Sequence, residues 1–156
     1  MYLGIDPWIR KLWYALVDQD LQIIDAGILL QDQKAPTRQD QFARMHDIYE
    51  FFVDMINRYP VHHVSMEKLF FTKYNQANAE FVYGIRWALC MLFRKHTLPL
   101  DEYTPNQLKQ YITWNWKASK EMMQKMIQKI YRLEEMPKYD DTADALGLAW
   151  IVSRNY

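Results

Sequence analysis

Glycine is scarce, with four in 156 residues, about 2.6% against a usual share of about 7%. Cysteine is scarcer. The lone Cys90 sits in an apolar helical stretch, which excludes an internal disulfide and any cysteine-based zinc site. Net charge is absent, with 19 bases balancing 19 acids, so only the distribution of charge bears on the kind of partner. No apolar run approaches the roughly 18 residues of a membrane span, and Met1-Tyr2-Leu3-Gly4-Ile5-Asp6 lacks the basic start of a secretory signal. The expectation is a cytoplasmic protein. The four histidines, His46, His62, His63 and His96, have no ligand spacing and read as core or surface polar groups. Repeats and low-complexity tracts are missing. What the chain does have is apolar residues, half of its composition, in a length suited to one domain with a proper core. It also has six tryptophans, a high number for its size.

Leu3 to Asp6, Leu12 to Asp18 and Leu21 to Leu30 read as three strands joined by short turns, an antiparallel meander. Pro7 cannot continue a central ladder and keeps Asp6 extended, so the first strand delivers a carboxylate to its own tip. After a polar loop containing Pro36, residues Phe42, Met45, Ile48, Phe52, Met55 and Ile56 recur at helical spacing, and Tyr59-Pro60 ends that helix. Val61 to Leu69 returns to a strand whose alternation brings Glu67 out near its end. Asn75 to Lys95 predicts a long helix with Arg86 and Arg94 beside its apolar face. Leu98 to Tyr103 predicts a fifth strand, and Gln107 to Ile112 a helical turn. Lys117 to Leu133 reads as an amphipathic helix with Met122, Met123, Met126, Ile127 and Ile130 inward. Asp140 to Val152 forms the last helix.

Chemistry is carried by acids and bases at the margins of these elements. Asp141 and Asp144 are spaced i, i+3 and share a face near the start of the last helix, where the helix dipole alone would favour them. The polar side of the preceding helix holds Lys117, Lys120, Lys125, Lys129 and Arg132 against one acid, Glu121. That basic face is either a solvated surface or a salt-sensitive phosphate contact. Lys68-Leu69-Phe70-Phe71-Thr72-Lys73 sets two aromatics between lysines, which suits unstacked nucleotides or a buried pair. The element order is that of an RNase H-like α/β domain, a five-stranded mixed sheet flanked by helices. Its acids lie on the first strand, the fourth strand and the last helix. Four converging acids repel unless a cation joins them. Carboxylates are hard ligands for Mg²⁺ or Mn²⁺, and two such ions about 4 Å apart can clamp a phosphodiester from both sides.

Gly4-Ile5-Asp6-Pro7, Met66-Glu67-Lys68-Leu69-Phe70, Gly84-Ile85-Arg86, the stretch around Lys109 and Lys120, and Asp141-Thr142-Ala143-Asp144-Ala145-Leu146 occur in order over nearly the whole chain. Together they resemble the RuvC family of Holliday-junction resolvases. The resemblance implies that Asp6, Glu67, Asp141 and Asp144 are catalytic acids holding two Mg²⁺ ions, with Mn²⁺ able to substitute. It implies Phe70 near the junction centre and Lys109 and Lys120 facing DNA; Arg86 and Lys117 complete the expected DNA-binding set. A homodimer placing two active sites on a two-fold junction, and work beside a branch-migration motor of the RuvA and RuvB type, are implied as well.

Five tryptophans depart from that pattern. Trp8 and Trp13 stand where the family has the glycine of Gly-Ile-Asp-Pro-Gly and another five residues on. Trp87 follows Arg86 in place of glycine, and Trp114 and Trp116 replace those of a Gly-Asn-Gly. Glycine in such places supplies positive φ or close backbone approach, which tryptophan cannot do cheaply. Five independent replacements by the largest residue are implausible, and a gene that uses UGA for glycine, translated here as tryptophan, accounts for all five. Restoration gives nine glycines in 156, about 5.8%. Trp150 lies on the apolar last helix, outside those five positions, and an authentic tryptophan-rich relative is the competing reading. The functional expectation is junction resolution. The alternatives are a catalytically impaired DNA-binding protein of the same fold, its site obstructed by Trp8, Trp114 and Trp116, and an RNase H-like nuclease of another branched or hybrid substrate.

Overall fold

The computed structural model describes residues 1–8, 10–30, 37–68 and 79–154. Alternation builds the first two strands. In β1 (Tyr2–Pro7), Leu3 and Ile5 enter one core while Gly4 and Asp6 face the other way. In β2 (Lys11–Val17), Leu12, Tyr14 and Leu16 join that first core while Trp13, Ala15 and Val17 enter a second. With β3 (Ile23–Leu30) these strands form the expected antiparallel meander. β3 begins two residues later than expected. The Asp18 carboxylate accepts the N–H groups of Asp20 and Gln22, and Leu21 takes a left-handed φ of 63°, so the turn absorbs the start of the apolar run.

α1 (Arg38–Arg58) opens on a capping box between Thr37 and Asp40 and sends Ile48, Phe52 and Met55 into the first core. β4 (His63–Glu67) lies parallel to β1, and β5 (Leu100–Tyr103) parallel to β4. Between them α2 (Ala79–Lys95) contributes Ile85, Leu89, Leu92 and Phe93 to the same core. The expected start of this helix, Asn75, lies outside the described residues, as do Pro36, Phe70, Phe71 and Lys73. The sheet order is β3-β2-β1-β4-β5, mixed and five-stranded as expected.

The second face carries α3 (Pro105–Thr113), α4 (Lys120–Tyr131) and α5 (Asp140–Arg154). α3 starts two residues before the expected turn because Thr104 and Gln107 cap it reciprocally behind Pro105. Ser119 caps α4, so the helix begins at Lys120 rather than Lys117. Met122, expected inward, is exposed; Met123 and Ile127 carry the buried stripe. The Tyr131 hydroxyl donates to the Leu146 carbonyl at 2.8 Å and ties α4 to α5. No described helix is long and apolar enough to cross a membrane.

Candidate active site

Two parallel neighbours end together. Ile5 of β1 lies beside Met66 of β4, so the residues that follow, Asp6 and Glu67, leave the carboxyl ends of adjacent strands about 5 Å apart. Both occupy the alternation phase opposite Ile5 and Met66, which belong to the first core, and so both side chains face α5. Ligands of open α/β sheets gather at such strand ends.

The remaining acids arrive because α5 crosses β1 at very close range. A Cβ placed on Gly4 would lie 2.1 Å from the Ala145 carbonyl oxygen and 2.5 Å from the Ala149 nitrogen. Only glycine permits that crossing. It sets the first turn of α5 over the strand ends, where Asp141 and Asp144 join Asp6 and Glu67.

The electrostatics record the gathering. Asp6 is 3% exposed and its Oδ1 has no hydrogen-bond partner. Burial, then the charges of Glu67, Asp144 and Asp141, hold its pKa well above the usual carboxylate range. Burial and the charges of Asp144 and Asp141 push Glu67 up to about 8. Burial and the charges of Asp141 and Asp140 push Asp144 up to about 7. Asp141 is also raised, first by burial and then by Asp140. The acids thus resist ionising together, and each is an oxygen donor of the kind a hard divalent cation takes. The donor set and the orphaned Asp6 oxygen fit a divalent ion, although no group of three or more described His, Cys, Asp or Glu residues is already arranged around one.

Bases ring the acids. Lys109 of α3 lowers the pKa of both Glu67 and Asp144. Lys120, at the start of α4, forms an ion pair with Asp140 and is exposed. Its hydrogen bond is the main reason that Asp140 is held below, and Lys120 above, the usual range. Lys117 lies farther out with Nζ 4.7 Å from the Trp116 ring centroid. Of the other bases expected on this face, Lys125 is paired with Glu121.

Arg86, expected among the DNA contacts, is turned inward instead. It is 9% exposed, and its guanidinium donates to the Glu67 carbonyl oxygen at 2.5 Å and to the Glu102 carboxylate. Phe70 lies outside the described residues. Sequence reasoning named Trp13 only as a replaced glycine, not as a neighbour of the acids, and missed Lys11. Trp13 sits opposite Asp6 across the β1–β2 ladder, and its buried indole N–H lies beside Asp141 without the geometry of a full hydrogen bond. Lys11 favours the charged form of Asp141. Only the pairing of β1 with β2 reveals either one.

A family model described as "Crossover junction endodeoxyribonuclease RuvC" matches residues 2–152. A protein of that description from Pseudothermotoga lettingae is 32% identical, the alignment covering 94% of this chain and 90% of the relative. One from Brevibacillus brevis is 35% identical over 94% of this chain and 87% of the relative. Among solved structures, Thermus thermophilus RuvC is similar with a TM-score of 0.76 and 25% identity, covering 94% of this chain and 89% of that one. A T. thermophilus RuvC in complex with a Holliday junction substrate shares the fold with a TM-score of 0.81 at 24% identity, covering 96% and 91%.

Proposed function

This chain belongs to the family of the crossover junction endodeoxyribonuclease RuvC, and on that premise we propose that it resolves Holliday junctions in recombination and repair by paired, symmetric nicks. One observation carries the reading. Two strand-borne and two helix-borne carboxyls gather at the carboxyl ends of β1 and β4, and the innermost of them, Asp6, has a buried oxygen without a partner. Nucleases of this family depend on divalent metal. Asp6, Glu67, Asp141 and Asp144 would hold Mg²⁺, two ions per site, with Mn²⁺ able to substitute. A divalent metal held there would supply an activated water for attack on the phosphodiester and positive charge for the leaving oxygen. The chain's own bases do the positioning: Lys109 and the exposed Lys120 and Lys117 meet the phosphates around the scissile bond, and burial keeps bulk water from Asp6 and Glu67.

Symmetric nicks need two sites, so the working form is a homodimer that engages a four-way junction beside a RuvA and RuvB type motor, in the cytoplasm where the chromosome lies. The whole chain acts as one nuclease domain. Trp8 supports the enzyme over an impaired binding protein, because it packs against the core on the α1 and α2 side, away from the face that bears the Asp6 carboxylate. The positions of the other tryptophans support glycine recoding unequally. Trp114 is left-handed, with φ 59° and ψ 17°, at the end of α3, and it is 84% exposed. Trp87 and Trp116 are also exposed, whereas Trp13 is buried against Tyr139. Tryptophan masses at these positions in peptides from the native host would end the recoding idea.

The functional test is nicking of a labelled, mobile four-way junction with Mg²⁺, by the chain as written and by a version with glycine at all five sites, each beside Asp144→Asn. Paired nicks abolished by Asp144→Asn are expected. Binding without cleavage by both versions would leave the impaired binding protein, and equal cutting of hybrid or flapped DNA would point to another substrate.

A further inference from the structure

Glu67 is the last residue of β4, where the ladder can no longer hold it from both sides. Its peptide is held by other means. On one side the Lys68 N–H donates to the Tyr103 carbonyl at 2.7 Å. On the other, Arg86 reaches from α2 under the strand end and donates Nη1 to the Glu67 carbonyl oxygen at 2.5 Å. The second arm of the guanidinium pairs with Glu102, which lies next to Met66 in the β4–β5 register. One buried cation therefore bridges the end of β4 to β5. A buried guanidinium needs such a counterion and gains geometric precision from its rigid fork.

We infer that Arg86 is a positioning residue: with Glu102 it clamps the Glu67 peptide, so that the Glu67 carboxylate stays aimed at Asp6 and Asp144. Arg86 acts from the back of the strand, through the backbone, and touches neither the carboxylate nor the reacting phosphodiester. Its charge also favours the ionised form of Glu67. Partners that orient a metal-holding carboxylate in this way typically change metal affinity or activity by about 10- to 100-fold when lost. The same geometry removes Arg86 from the phosphate contacts, because both arms of the guanidinium are engaged inside the fold.

The inference rests on Glu67 being a metal-holding acid, and the test separates the two. Arg86→Lys, Glu102→Gln and Glu67→Gln are compared with the unmodified chain in Mn²⁺ affinity by calorimetry, junction affinity in Ca²⁺, and kcat for nicking at saturating junction. Arg86→Lys keeps a charge but cannot span both partners. It is expected to weaken Mn²⁺ binding and kcat about tenfold or more, with junction affinity within about twofold. Glu102→Gln, which leaves Arg86 in place, should move the same quantities in the same direction by less. It is the variant to rely on where Arg86→Lys melts below the assay temperature. A tenfold loss of junction affinity with Mn²⁺ affinity and kcat intact would make Arg86 a DNA contact and overturn the clamp. An inactive Glu67→Gln beside unchanged Arg86→Lys and Glu102→Gln would overturn the clamp alone, and an active Glu67→Gln would overturn both readings.

Discussion

Asp144 and Glu67 are carboxyls whose pKa rises on folding, to about 7 and about 8. Such a group holds its proton better in the folded chain than in the unfolded one. The stability it contributes is therefore complete below the unfolded value of about 4 and is lost as pH climbs through the folded values. Without metal, the protein should melt at a lower temperature at about pH 8 than at about pH 5.5. Asp144→Asn should flatten that slope in a thermal-denaturation series, and added Mn²⁺ should raise the alkaline end most. A metal-free melting temperature that climbs from pH 5.5 to 8 would contradict the gathering of acids. The tryptophans divide at the same scale. Trp114→Gly relieves a left-handed residue and should stabilise by about 1 kcal/mol. Trp13→Gly removes a buried side chain of the second core, set against the Tyr139 ring, and should destabilise by about 3 kcal/mol or more. Denaturant titration of the two single variants checks the contrast.

The decisive element contact is that of α5 with β1. The last helix carries eight buried residues, from Ala143 to Val152, and small ones among them, Ala145 and Ala149, let its backbone come down onto Gly4. Gly4→Ala inserts one methyl group against backbone atoms that cannot swing aside. It should cost about 3 kcal/mol, the upper part of the range for overpacking. Because the displaced helix carries Asp141 and Asp144, nicking should fall more than stability predicts. An assay well below the melting temperature checks this, and full activity in a stably folded Gly4→Ala would separate the acids from the helix crossing.

For the whole molecule, α2 has a second side. Its inner face fills the first core, while Tyr83 and Met91, at i and i+8, leave an exposed apolar stripe in which Met91 is 66% exposed, whichever residue stands at position 87 between them. A stripe of that kind suits the proposed homodimer, with the same helix presented by both copies about a two-fold axis. Met91→Glu places a charge in the stripe and should shift the protein toward monomer in sedimentation, with symmetric paired nicks giving way to single ones. A dimer indifferent to Met91→Glu would move the interface elsewhere.

Much of this protein was legible in its sequence, because strand alternation, proline stops and helix caps act over a few residues. The five strands and the four acids at element margins came from those local signals, the mixed sheet from the likeness of the element order to an RNase H-like domain, and the ordered motifs carried the resemblance to the family. Boundaries slipped by two or three residues at Leu21, Gln107 and Lys117, where a side-chain cap outweighed the apolar pattern. Met122 was misplaced because one helical step separates the inner face from the outer. Only the tertiary structure decided where the Arg86 and Trp13 side chains sit. A basic residue beside an apolar stripe looks solvent-bound in one dimension, and its inward turn depends on a carbonyl 19 residues earlier and a carboxylate 16 residues later. Long-range pairing, not local propensity, brings those atoms together.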